Sequence, residues 1–116
     1  MTTVLIVDDH PSFRATARAL LEADGFDVVG EAENGVTALR SAKKLHPDLV
    51  LLDVQLPDFD GFEVCVRLTG DAPGPIVVMT SSRDASDFGP LVAESGAKGF
   101  VPKAELSGAA LKAVLG

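Results

Sequence analysis

Five short runs of apolar, largely β-branched residues, each followed by a helical pattern, constrain this chain most. The runs are "TVLIV" (3–7), "DVVGEA" (27–32), "DLVLLD" (48–53), "PIVVMT" (75–80) and "KGFVPK" (98–103). Their length and residue type predict strands. Three lack polar alternation, which predicts burial on both faces, as in a parallel sheet covered by helices. Between the runs the spacing turns helical. Phe13, Ala17, Leu20 and Leu21 share one face, with Pro11 suited to the first turn and Gly25 to the stop. Val36, Leu39, Ala42 and Leu45 predict a second helix closed by Pro47. Phe62, Cys65, Val66 and Thr69 predict a third, closed by Gly70. The fourth pattern carries Leu91 and Val92 but is interrupted by Gly89-Pro90, so the helix starts near Pro90 or kinks there. Residues 106–116 predict a short fifth helix. Alternating strands and helices with short connections and right-handed crossovers argue an α/β domain, a three-layer sandwich around a parallel five-stranded sheet.

At 116 residues and 47% hydrophobic content the chain suits one domain, residues 1–116, with one packed unit. No stretch approaches the roughly 18 unbroken apolar residues of a membrane span. The start, "MTTVLIVDD", lacks a charged segment followed by an apolar one, so a cytoplasmic protein is expected. The formal charge of −7 repels phosphate backbones and argues against direct nucleic-acid binding by this domain. That argument does not extend to a separate DNA-binding chain or domain. The single cysteine, Cys65, lies in an apolar helical pattern and is read as a small buried hydrophobe. His10 and His46 have no Cys or His at ligand spacing, so no zinc site is expected.

In open parallel sheets, ligands sit beyond the carboxyl ends of the strands. The first strand runs into Asp8 and Asp9, the third ends at Asp53, the fourth at Thr80 and Ser81, and the fifth at Lys103. Each has a plain reading alone: a helix cap for Asp8 or Asp9, a strand-end acid for Asp53, a turn hydroxyl for Thr80, a solvated charge for Lys103. Together they say more. Three carboxylates in one pocket raise one another's pKa, and a cation relieves them. Hard oxygen donors with open positions suit magnesium, which keeps waters and binds phosphate oxygens. A lysine and a hydroxyl beside it complete a site for a tetrahedral anion.

The segments "LIVDDH", "PDLVLLDVQLPDFDG", "IVVMTSS" and "GAKGFVPK" resemble the receiver domain of bacterial two-component response regulators over essentially the whole chain. The resemblance implies a flavodoxin-like fold with strand order 2-1-3-4-5. It implies that Asp53 accepts a phosphoryl group from a sensor histidine kinase or a small donor such as acetyl phosphate. It implies Mg2+ held by Asp9, Asp53 and the backbone carbonyl of Gln55, with Asp8 acting through water. Lys103 would pair with Asp53 and then with the phosphoryl oxygens, and the Thr80 hydroxyl and the Ser81 N–H would bind the remaining oxygens. Thr80 and Phe100 would form the switch that remodels the surface of helix 4, strand 5 and helix 5 toward a downstream protein or DNA-binding effector. Gln55 and Ser82 would tune the phosphoryl lifetime, and the domain would act as a phosphoacceptor rather than an enzyme on other substrates.

Some features depart from the family pattern. Ala104 follows the lysine where proline is common, so a trans bond is expected there. "DDHPSFR" and "GFVPKAEL" look most like receivers that precede a helix-turn-helix domain of the quorum-sensing and nitrate-response type, yet the chain stops at Gly116. A stand-alone receiver is expected, with homodimer pairing through helices 1 and 5 or the 4-5-5 face open to it. The alternative function is a receiver-like binding module that works without phosphorylation. The complete set of Asp8, Asp9, Asp53, Thr80 and Lys103 argues against it.

Overall fold

The computed structural model describes residues 1–70 and 74–116. Five strands form one sheet: β1 (Thr3–Val7), β2 (Asp27–Ala32), β3 (Leu49–Asp53), β4 (Ile76–Ser81) and β5 (Gly99–Pro102). All neighbouring pairs are parallel, in the order β2-β1-β3-β4-β5. This is the order the resemblance implied, and the last three strands sit within a residue of their expected bounds. Asp48 stays outside β3 because its carboxylate accepts from the N–H and hydroxyl of Thr3, pinning the start of β1. A bulge in β2, opposite Val4 and Leu5, skips Val29.

The helices are α1 (Pro11–Ala23), α2 (Gly35–Leu45), α3 (Gly61–Gly70), α4 (Leu91–Glu94) and α5 (Gly108–Leu115). Asn34 caps α2 through the Thr37 N–H, and Ser107 caps α5 through the Ala110 N–H. Helix α1 has no side-chain cap. The helix-cap reading of Asp8 or Asp9 therefore fails; Asp8 instead accepts from the His10 N–H, closing a turn before the helix.

Period-two alternation in the strands builds a core on each side of the sheet. Leu5, Val7, Val50, Leu52, Val77 and Met79 face α2, α3 and α4. Val4, Ile6, Leu49, Leu51, Val78 and Val101 face α1 and α5. Both faces of the central strands are covered, as the continuous apolar runs require. Cys65 is buried on the first side, as expected.

Four helices differ from the sequence reading. Leu20 on α1 and Val36 and Leu45 on α2, expected on the apolar faces, are exposed, and α2 buries Gly35 and Ala38 beside Ala42. Helix α3 buries Gly61, Val64, Cys65 and Leu68, whereas Val66 is 48% exposed. The expected stripe of Phe62, Cys65, Val66 and Thr69 is rotated because Gly61 lies against the backbone of Asp53 and Val54, fixing the helix roll at its first residue. Helix α4 is one turn. Gly89 takes a φ of +56°, Pro90 occupies the N-cap, and a three-residue 3-10 turn (Ala85–Asp87) precedes them. Of the two alternatives, the helix starts near Pro90, at Leu91.

A Cβ on Gly61 would collide with the Asp53 carbonyl and approach the Val54 carbonyl to 2.6 Å, whereas one on Gly70 meets nothing within 4 Å among the described residues. Gly61→Ala should therefore lower stability by about 1–3 kcal/mol in urea denaturation, while Gly70→Ala leaves it unchanged or raises it by up to about 1 kcal/mol.

Candidate functional site

Strand register brings the polar strand ends together. Val7 pairs with Leu52, so Asp8 lies level with Asp53. Asp53 pairs with Thr80, and Ser81 pairs with Pro102, one residue before Lys103. The parallel order therefore gathers residues from four loops at one edge of the sheet. Asp9, His10, Asp53, Gln55, Leu56, Pro57, Ser81, Ser82 and Lys103 line a hollow of about 180 Å³ there. A larger hollow, about 1080 Å³, lies at the other end of the strands between α2 and α3; its lining includes Leu39, Lys43, Val66 and Ile76 and none of these acids.

Asp8 and Asp53 are both buried. Lys103 Nζ lies 2.6 Å from Asp8 Oδ2 and 3.2 Å from Asp53 Oδ2, donating a hydrogen bond to the latter. The closer contact, to Asp8, is an ion pair by distance without hydrogen-bond geometry, and burial makes its charge count. The ammonium also sits 4.6 Å over the Phe13 ring. The lysine thus bridges both acids rather than serving Asp53 alone.

One ammonium does not balance this cluster. Burial, and then the charge of Asp8, push the Asp53 carboxyl up to about 6, against the opposing pull of Lys103 and the Gln55 N–H. Burial alone would lower the Lys103 ammonium, but Asp8 and Asp53 outweigh it and hold it above its ordinary value. Ligand atoms of Asp8, Asp9, His10 and Asp53 lie within 4.8 Å of one another. Two buried carboxylates, one of them held against its own ionisation, and a third at the rim form a donor set that fits a hard divalent cation.

Every expected site residue but three, Asp8, Thr80 and Phe100, lines the hollow, and Asp8 is fully buried beneath it against Lys103. The Thr80 hydroxyl is buried behind the hollow and, among the described residues, has no hydrogen-bond partner. Phe100, half-buried on β5, packs its ring 5.8 Å from Phe88, itself 5.6 Å from Phe62. The sequence reading missed His10, whose Nδ1 is 3.0 Å from a carboxylate oxygen of each of Asp8 and Asp9. Its signal was only adjacency: a histidine straight after two acids at a strand end. Arg14 was missed as well; it donates to the Asp8 carbonyl from α1 and pairs with Glu31.

The Response regulator receiver domain family matches residues 4–115. The chain is 46% identical over 105 residues to a Pseudomonas aeruginosa protein whose description is that of a transcriptional regulator, covering 90% of this chain and 51% of the relative. It is 42% identical over 102 residues to the DNA-binding response regulator MtrA of Mycolicibacterium smegmatis, covering 86% and 43%. The chain thus spans about half the length of the curated relatives it matches. Among solved structures, a LuxR-family two-component response regulator from Aurantimonas superimposes with a TM-score of 0.88 at 31% identity, covering 99% of this chain and 86% of that one. The sheet order, the acids at its carboxyl edge and these similarities agree, and the chain belongs to the response regulator receiver domain family.

Proposed function

We propose that this domain is a phosphorylation-dependent signalling switch in which Asp53 takes a phosphoryl group from a sensor histidine kinase. Receiver domains bind Mg2+ at an acidic pocket, and the Asp-rich group here could hold such an ion. The observation that carries the reading is a carboxylate, buried yet open to a small polar hollow, 3.2 Å from a lysine shared with a second buried acid.

An Asp53 oxygen attacks phosphorus, forming a P–O bond. The bond to the donor's imidazole nitrogen, or to the acetate oxygen of acetyl phosphate, breaks with its electron pair going to the leaving group. Transfer of this kind depends on positioning and charge neutralisation. Bound Mg2+ supplies charge neutralisation at the phosphoryl oxygens, and Asp9, Asp53 and the Gln55 carbonyl would hold it. Asp8 already faces Lys103 and the His10 N–H, which favours an indirect role through water. Lys103 moves its pairing from Asp53 to the new phosphoryl oxygens. Thr80 and the Ser81 N–H take the others; the unpartnered Thr80 hydroxyl is available for this. Gln55 and Ser82 line the hollow and so flank the path of an attacking water. Drawing Thr80 toward the phosphoryl group frees space for Phe100, and the α4–β5–α5 surface changes for a downstream effector. The phosphoryl group selects that state only by its differential contacts.

Incubation with Mg2+ and acetyl phosphate should add one phosphoryl group by intact mass, and Asp53→Asn should add none. Labelling that survives the substitution overturns the assignment of the acceptor; a wild type inert to acetyl phosphate and to a cognate kinase leaves the phosphorylation-independent binding module as the better reading.

A second prediction concerns pH. An acid raised from 3.8 to about 6 in the folded state binds its proton more tightly there than when unfolded. Its contribution to stability is fullest below about pH 3.8 and is lost as pH rises through about 6. In metal-free protein at pH 7.5, Asp53→Asn should raise stability by on the order of 2 kcal/mol, and the gain should shrink toward pH 4. Adding Mg2+ should raise the Tm of the wild type and leave that of the variant unchanged in thermal melts.

A further inference from the structure

We infer that Asp58 is a positioning residue: by gripping the first turn of α2 it holds the loop after Asp53 in the shape that presents Gln55 and Pro57 to the acidic hollow. The inference rests on the reading of that hollow as a magnesium and phosphoryl site. The loop is closed at its base by an antiparallel bridge between Gln55 and Asp60 and by the Gly61 N–H donating to the Val54 carbonyl at 2.7 Å. Its tip, residues 56–59, projects beyond that closure. Leu56 and Pro57 line the hollow together with Asp53 and Gln55. The next residue turns the other way. Asp58 Oδ1 accepts from the Gly35 N–H at 2.7 Å, and Oδ2 accepts from the Val36 N–H at 3.0 Å. Oδ1 also accepts from the Phe59 N–H at 2.9 Å.

Gly35 and Val36 open α2, so their N–H groups lack intrahelical partners, and a carboxylate there is favoured by the helix dipole. Some desolvation pushes the Asp58 carboxyl up, but the Gly35, Val36 and Phe59 N–H groups outweigh it and hold it below its ordinary range. Phe59 adds a second anchor: a Cβ on Gly35 would come within 2.6 Å of its ring, so ring and helix backbone are in close contact. Asn34 already serves the Thr37 N–H, so α2 keeps a cap of its own without Asp58. Consecutive residues thus face opposite ways: Pro57 walls the site, and Asp58 fastens that wall to a helix that contributes no residue to the site.

The test is Mg2+ binding by isothermal titration calorimetry at pH 7.5, with stability measured in parallel by thermal melts. Asp58→Ala should weaken Mg2+ binding roughly 10-fold, and Asp58→Asn, which keeps one acceptor oxygen, should weaken it less. In Mg2+-dependent phosphorylation by acetyl phosphate, both variants should need more Mg2+ for half-maximal rate. If the melts shift down while the Mg2+ Kd of both folded variants stays within about twofold of wild type, Asp58 merely caps α2 and the inference is overturned. Should Asp58→Ala not fold, the Kd of Asp58→Asn decides alone by the same criterion. A wild type that takes up no Mg2+ is a different failure: it removes the reading of the site, and this inference falls with it.

Discussion

Two carboxylates buried level with each other at the ends of adjacent central strands set the terms for this molecule. Asp8 ends the run of β1 and Asp53 ends β3, and both strands are covered by helices on both sides. Ionised acids in such a place are costly unless paired. The fold provides one ammonium, Lys103, and the means to deliver it: β4 beside β3, β5 beside β4, and a lysine directly after the last residue of β5. The supply falls short of the demand. Asp53 keeps a raised pKa despite the lysine, so the metal-free domain holds an unrelieved negative charge where a cation and a phosphoryl group would be received. On the proposed reading, the side chain that destabilises the metal-free fold is also the one that would react, which is how functional sites commonly depart from the stability optimum.

The surface beyond β5 is held by other means. Helix α4 has four residues, too few to be stable by its own hydrogen bonds. Its placement depends on packing: Val92 against the core, and Phe88 between Phe62 and Phe100. The three rings join the start of α3, which follows the loop after Asp53, to β5, which carries Lys103 at its end. Thr80 lies on the strand between β3 and β5 with its hydroxyl unpartnered among the described residues. On the proposed reading, Thr80 and the aromatic row are the two elements through which a change at Asp53 would reach this edge.

Much of this was legible in the sequence because the signals were local. Continuous apolar runs marked the strands, and the residues ending them marked the site edge. The strand order was not legible from periodicity; it came with the family resemblance. The roll of α3 was misjudged because Val66 and Leu68 are alike in hydropathy; the face that packs inward is the one carrying Gly61, which lies against the backbone of Asp53 and Val54. His10 was set aside by a test for zinc spacing, whereas its partners are the two acids before it, met through a turn. Asp58 gave no signal at all. Its partners lie 22 and 23 residues away, and they are backbone N–H groups, which every sequence position has.

The acids of this chain divide by what surrounds them rather than by type. Asp48 and Asp58 are met by N–H groups, with the Thr3 hydroxyl also serving Asp48, and both lie below the ordinary carboxylate range. Such acids support the fold when ionised and lose that support as pH falls. Asp53 is met chiefly by burial and by another acid, and its sign is opposite. A chain of net charge −7 thus uses the same residue as a strut at the loop ends and as a source of tension at the centre. The struts matter to the tension: Asp58 sits five residues after Asp53, in the loop that closes the hollow, so the acid that is satisfied holds in place the wall around the acid that is not.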